Sequence, residues 1–379
     1  MKLLQRIFLG LIFLGLILCL LWVSPYSFLF KGVRLTYCMG EKSAHYLDWK
    51  YFDTRAIPNN PNHISQWPVD SNRFNVRLSN ILMAKLENTH SGSFLVYHND
   101  TLVCEKYFAP LFAEERSNSF SMSKTIVTIM VQQAIQRGEL TSWDQKVNNI
   151  LPWLKGPYSN KLTLRHLSTM SAGLDWKENY YLPIGVTAKT YYGSDVGGVL
   201  RSIPVVEEPG KRFVYQSGAT QLLAMALMEA TGKHLSELAS EYLWIPMGAE
   251  ASATWQLDKK EGQELAFCCF DARARDFGRL GLLVLHQGMG LVDSAFLVKA
   301  QQPFLSPNYG HSFWIGKTDG GIKFSYFQGL HGQFICIMPQ YNMVVVRTGN
   351  GIDRGRSGSK VFDCVKTYIE ESVKQFASK

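Results

Sequence analysis

The sequence lacks the patterns that announce most catalytic and binding chemistries. It holds no H-E-x-x-H, no P-loop and no cluster of His with Asp, and its nine histidines are dispersed, which disfavours a metal hydrolase. No G-x-S-x-G elbow is present, since Gly355-Arg356-Ser357-Gly358-Ser359 fails at its last position. No basic run is interleaved with aromatics, so nucleic-acid binding is not expected despite a formal net charge of +8. The seven cysteines match no zinc spacing, and a chain of 379 residues is large enough to fold without disulfide staples. Cys268-Cys269 reads as a pair of small buried residues. A disulfide among Cys38, Cys104, Cys268, Cys269, Cys336 and Cys364 stays open and unassigned. Internal repeats and low-complexity tracts are absent, and no metal or cofactor is expected. What remains is 46% hydrophobic and 18% charged, the balance of a folded globular chain.

One long apolar run stands out. Lys2 and Arg6 precede an unbroken stretch from Ile7 to Val23, just long enough to span a bilayer and also compatible with the core of a signal peptide. Ser24-Pro25-Tyr26-Ser27-Phe28-Leu29-Phe30 follows, bulky where a cleavage site needs small residues, so an uncleaved anchor is favoured. Leu16-Ile17-Leu18 before Cys19 also lacks the small residues of lipoprotein processing. Lys31 and Arg34 place charge on the far flank as well, which leaves the orientation open. Anionic lipid near the anchor would account for part of the basic excess. Residues 1–31 are read as a cytoplasmic tip and membrane anchor, 32–84 as an approach segment that drapes over the domain, and 85–379 as the main domain.

Within that domain the hydrophobic period changes along the chain. Ser93–His98 and Thr101–Phe108, rich in β-branched and aromatic residues and split by Asn99-Asp100, read as a hairpin. Thr125–Gln136 carries apolar residues at 126, 127, 130, 131, 134 and 135, a helical face closed by Gly138. Further helices are expected at Leu162–Met170, Ala219–Ala230, Ala274–His286 and Ser359–Phe376. Strands are expected at Ser312–Gly316, Gln333–Met338 and Met343–Arg347. Hairpin, helical middle, antiparallel strands and closing helix make an α+β order: one antiparallel sheet flanked by helices, shared by the two ends of the domain, beside a mostly helical lobe.

Three short motifs carry chemistry. A serine hydroxyl needs a base, and a desolvated lysine three residues on lies across one helical turn from it. Ser121-Met122-Ser123-Lys124 fits this S-x-x-K spacing where a helix begins, so its backbone N–H groups also favour developing negative charge. Ser357-Gly358-Ser359-Lys360 matches too, but it follows a Gly/Arg-rich loop and reads as a helix cap. The pattern alone is common enough to arise by chance. Tyr215-Gln216-Ser217 places a phenol that could relay a proton, against the plainer reading of a buried tyrosine and a capping serine. Gly329-Leu330-His331-Gly332-Gln333 stands at the entrance to a strand, where glycine permits close approach and a strand-edge N–H can complete an oxyanion hole.

Order and context bind these motifs together. Leu164-Arg165-His166-Leu167-Ser168-Thr169-Met170-Ser171-Ala172-Gly173-Leu174, Pro209-Gly210-Lys211-Arg212-Phe213-Val214-Tyr215 and Ala272-Arg273-Ala274-Arg275-Asp276-Phe277-Gly278-Arg279 accompany them. With these segments, residues 85–375 resemble the serine β-lactamase and penicillin-binding-like superfamily, in the class C-related branch that includes esterases and 6-aminohexanoate-dimer hydrolases. The resemblance implies Ser121 as acylated nucleophile, Lys124 as its base and Tyr215 as proton relay. It implies the N–H groups of Ser121 and Gln333 as oxyanion hole, with Gly332, His331 and Ser217 lining the substrate. Two departures narrow the substrate. Ser217 stands where β-lactamases usually have Asn, and Leu330-His331 where they have Lys-Thr. The Gly-x-His-Gly-Gln form is similar to the 6-aminohexanoate-dimer hydrolase branch. Trp176, Tyr180, Tyr181, Tyr191 and Tyr192 fall where such enzymes place a flexible substrate wall, or serve as core aromatics.

The expectation is therefore a membrane-anchored serine hydrolase, its domain exported, acting through an acyl-enzyme on small-molecule esters or linear amides. The alternatives are a β-lactamase, a cell-wall peptidase, or a penicillin-binding-like sensor domain that binds without catalysis. The natural substrate, the oligomeric state and the fate of the anchor are not written in the sequence.

Overall fold

The computed structural model describes residues 2–353 and 361–377. Helices α1 (Lys2–Val23), α2 (Phe28–Leu35) and α3 (Asn80–Asn88) precede the hairpin of β2 (Ser91–His98) and β3 (Thr101–Tyr107), with β1 (Thr54–Ile57) between α2 and α3. The middle holds β4 (Ser117–Asn118), α4 (Ser123–Gln136), α5 (Leu164–Ser168), α6 (Val186–Tyr192), α7 (Val196–Ser202), α8 (Ser217–Thr231) and α9 (Leu235–Leu238). Next come β5 (Ala253–Gln256), β6 (Phe270–Ala272), α10 (Ala274–Leu285) and α11 (Ser294–Ala300). The chain closes with β7 (Trp314–Lys317), β8 (Lys323–Gly329), β9 (Gln333–Met338), β10 (Met343–Gly349) and α12 (Asp363–Phe376).

The two ends of the domain do share one antiparallel sheet, in the order β3-β2-β10-β9-β8-β7. Asn99 and Asp100 both take positive φ, which the tight turn between β2 and β3 demands. Alternate residues of the central strands feed two different cores. Leu95, Tyr97, Ile335, Ile337, Val344 and Val346 face the large core built with α4, α8 and α10. Phe94, Val96, Phe334, Cys336, Met338, Met343 and Val345 face the smaller core closed by α3 and α12. Burial on both faces explains why these strands read as unbroken apolar runs instead of alternating ones.

A second sheet, β1-β5-β6-β4, was not expected from the sequence. It draws in the approach segment: Ile57 pairs with Ala253 and Thr54 with Gln256. The same segment is stitched on elsewhere, through Asn118 N–H to the Tyr46 carbonyl at 2.8 Å and Leu102 N–H to the Pro68 carbonyl at 2.9 Å. α4 is buried almost all round, more than its apolar face predicts. Its polar residues are paired instead of solvated, as with Thr125 Oγ1 donating to the Ser312 carbonyl at 2.7 Å and Gln133 Nε2 to the Tyr242 carbonyl at 2.7 Å. The closing helix begins at Asp363, and the Ser357–Lys360 motif lies outside the described residues. Among the described residues one helix, α1, is long and apolar enough to cross a membrane. α2 follows it at once and packs on α6 through Gly32, which lies against the Tyr192 ring.

Candidate active site

The short strand β4 delivers the chain into a single tight turn, Phe120–Met122, from which α4 starts. Phe120 takes a left-handed φ of 44°, uncommon outside glycine, and its N–H is held by Asn118 Oδ1 at 2.8 Å. Ser119 is pinned to β6 from both sides, its N–H donating to the Phe270 carbonyl at 2.9 Å and its Oγ accepting from Phe270 N–H at 3.3 Å. That anchoring fixes Ser121, which stays partly exposed, at the head of a helix.

The S-x-x-K spacing then does what one helical turn allows. Lys124 Nζ donates to Ser121 Oγ at 2.8 Å and to the Phe267 carbonyl at 2.6 Å. Lys124 is only 1% exposed, and burial brings its amine down from 10.5 to about 7, against a small opposing pull from Glu178. A substantial share of the amine is therefore neutral near pH 7 and able to accept a proton. The Phe267 carbonyl is set by the loop before β6, where Ser123 Oγ also donates to the Ala266 carbonyl at 3.0 Å. Cys268 and Cys269 follow directly. They are buried, as expected, but joined to each other in a disulfide that sequence reading left unassigned.

Tyr215 comes to the same place from the loop before α8. Its half-buried ring centroid lies 5.2 Å from Lys124 Nζ, and it packs against Tyr309 at 6.1 Å and Trp314 at 5.7 Å. Burial drives the phenol's pKa up, its hydrogen-bonding interaction with Ser121 draws it down, and the charge of Glu178 adds to the rise. The neutral phenol is thus favoured, and the free lone pair near neutrality belongs to Lys124. Ser121, Lys124 and Tyr215, brought from two distant segments, meet as one cluster.

The third motif borders that cluster. Gly329 lies against the backbone before Ser121, since a Cβ there would stand 2.2 Å from the Ser119 carbonyl. Gly332 has a φ of 86°, and a Cβ on it would come within 2.4 Å of the Arg347 guanidinium. Gln333 turns its side chain inward, Nε2 donating to the carbonyls of Leu330 at 2.8 Å and Gly349 at 2.7 Å. His331 hydrogen-bonds through Nε2 to Ser43 Oγ at 3.0 Å and sets its ring edge-on to Phe120, with burial lowering its pKa. The approach segment therefore braces this loop.

Sequence reading missed Glu178. Its Oε2 accepts from Trp176 Nε1 at 2.7 Å and from Ser217 N–H at 2.7 Å, while Oε1 accepts from Ser217 Oγ at 2.7 Å. The only signal was its place beside Trp176 and Tyr180 in the segment expected to form a wall. Those aromatics divide. Trp176 and Tyr191 are buried, with Tyr191 donating to Asp48 at 3.0 Å, whereas Tyr180 and Tyr181 are exposed. No group of His, Cys, Asp or Glu able to hold a metal occurs among the described residues.

The family described as Beta-lactamase matches residues 80–360. A 6-aminohexanoate-dimer hydrolase of Paenarthrobacter ureafaciens is 24% identical over 301 residues, covering 72% of this chain and 76% of that protein. A solved structure from Bacillus anthracis, assigned as a 6-aminohexanoate-dimer hydrolase, superposes with a TM-score of 0.73 at 21% identity, covering 93% of this chain and 95% of its own. A penicillin-binding protein from Bacillus halodurans gives a TM-score of 0.60 at 17% identity, over 78% of this chain and 100% of its own.

Proposed function

Since this chain belongs to the Beta-lactamase family and is a serine hydrolase, we propose that it cleaves esters and linear amides through an acyl-enzyme on Ser121. Ser121 Oγ attacks the substrate carbonyl carbon, and its proton passes to Lys124 Nζ. Tyr215 relays that proton to the leaving oxygen or nitrogen as the scissile bond breaks. Water then attacks the acyl-serine, yields its proton to the same base, and releases the acid with Ser121 restored. The N–H groups of Ser121 and Gln333 are the proposed oxyanion donors. The observation that carries the reading is the buried Lys124 amine 2.8 Å from Ser121 Oγ. Leu330, uncharged where β-lactamases carry lysine, supports esters and unstrained amides over β-lactams. The relative named as a 6-aminohexanoate-dimer hydrolase supports a linear amide as one substrate class.

A fluorophosphonate probe is expected to label the full chain, and Ser121→Ala to abolish the labelling. Labelling that survives in Ser121→Ala but vanishes in Ser357→Ala would move the nucleophile to the second motif. Turnover of p-nitrophenyl acetate with little hydrolysis of a chromogenic cephalosporin is expected; the reverse order of activities would make the chain a β-lactamase. We further propose that α1 is an uncleaved anchor with the domain on the exported side. Carbonate-washed membranes should then retain the intact chain, whereas release of a shorter soluble form would refute the anchor.

A further inference from the structure

Glu178 is a carboxylate built into the site with no place in the acyl-transfer scheme. Its donors are the Trp176 indole, the hydroxyls of Tyr180 and Ser217, and the Ser217 N–H. The last of these belongs to the first turn of α8, whose dipole favours an anion there. That hold sets it on one side of the catalytic cluster, through Ser217 two residues beyond Tyr215. From there its charge raises the pKa of both Lys124 and Tyr215.

Among the described residues, the cations near the cluster do not balance it. Lys124 loses part of its charge near neutrality through burial. Leu330 is apolar, and His331 is pushed toward its neutral form by its own burial. Arg347, behind Gly332, is buried and aims its guanidinium at the carbonyls of Thr89, His331, Gly332 and Gly351. Lys177, beside Glu178 in sequence, is exposed. An acyl group bound on the Glu178 side of Tyr215 would meet a negative charge with no cation placed opposite among the described residues.

We propose that Glu178 is a specificity-determining residue that keeps carboxylate-bearing acyl groups away from Ser121 and admits neutral or ammonium-bearing esters and amides. This rests on Ser121 being the nucleophile. The repulsion at a partly exposed site corresponds to discrimination on the order of tenfold, weakening as salt screens it.

The test uses the full-length chain in detergent and three p-nitrophenyl esters of matched length: butyrate, hemisuccinate and 4-aminobutyrate. Each kcat/KM is divided by the ester's own alkaline hydrolysis rate. The expected order is hemisuccinate lowest, by about tenfold relative to butyrate, with the gap narrowing in high salt. Glu178→Gln, which keeps the shape and the acceptor oxygen, should narrow the hemisuccinate-to-butyrate ratio several-fold, and Glu178→Asp should preserve it. Equal handling of the two esters by the wild type overturns the proposal. So does a Glu178→Gln variant that loses activity on both in equal proportion, the mark of a purely structural clamp. The salt series on the wild type decides the question if that variant fails to fold. Loss of the underlying reading is separate, since it appears as butyrate turnover that survives Ser121→Ala.

Discussion

Lys124→Met should make the fold more stable near pH 7 while abolishing turnover. Burial lowers this amine from 10.5 to about 7, so between those values the unfolded chain binds a proton that the folded chain does not. Stability therefore rises with pH through that window and sits at its lower plateau below about 7. At about 1.4 kcal/mol per pH unit, the interval amounts to roughly 5 kcal/mol lost at and below neutrality. At 1% exposure the group has little solvent to screen that penalty. Methionine is unbranched, fills similar space and takes no proton. Against the gain stand two hydrogen bonds, to Ser121 Oγ and the Phe267 carbonyl, each worth about 1 kcal/mol net. The balance is a stabilisation of roughly 3 kcal/mol near pH 7, or about 4 °C in Tm at the unfolding entropy usual for a chain of this size. Above about pH 9 the wild type should be the more stable form, because the remaining penalty then falls below the roughly 2 kcal/mol of its two bonds. Thermal unfolding of both proteins from pH 6 to 10.5 would check this. A Lys124→Met variant less stable than wild type at pH 7, or a difference that ignores pH, refutes the desolvated-amine account.

Two further outcomes follow from the same geometry. The kcat/KM for a neutral ester should climb about tenfold per pH unit below about 7 and level off above it, because only the neutral Lys124 amine accepts the Ser121 proton; a profile flat from pH 5.5 to 8.5 would assign the proton to another group. Gly332→Ala should lower kcat by about 10- to 100-fold, since a Cβ at that left-handed position meets Arg347 and displaces the Gln333 N–H. Unchanged kcat in a folded Gly332→Ala variant would remove the Gln333 N–H from the oxyanion hole.

The elements legible in the sequence are those whose cause is local. The β2–β3 hairpin was marked by Asn99-Asp100, and α4, α8 and α10 by their apolar spacing, each within about two residues of its observed start. The second sheet was illegible because its strands run only two to four residues and pair across gaps as wide as Ile57 to Ala253. β8 was missed as well. Its buried residues Phe324, Ser325, Tyr326 and Phe327 lie between the charged Lys323 and the polar, uncharged Gln328, and both of its neighbours in the sheet are needed to define it. Glu178 escaped because a carboxylate in a polar loop looks solvated until its partners, Trp176 and Ser217, are seen around it.

The same division runs through the site itself. That Ser121 and Lys124 would meet follows from helix geometry and needs no fold at all. Whether the meeting has chemical consequences does not, because an exposed lysine keeps its proton and leaves the hydroxyl inert. The burial that fits Lys124 to the proposed role of base comes from distant residues: the Phe267 carbonyl accepts from the amine, and Tyr215 lays its ring beside it. The motif supplies the contact and the tertiary structure supplies the protonation state. A matching motif without such burial, as an open helix cap would be, has the first and lacks the second. The burial of Lys124, more than the S-x-x-K spacing, is what favours the proposed site over a coincidence of sequence.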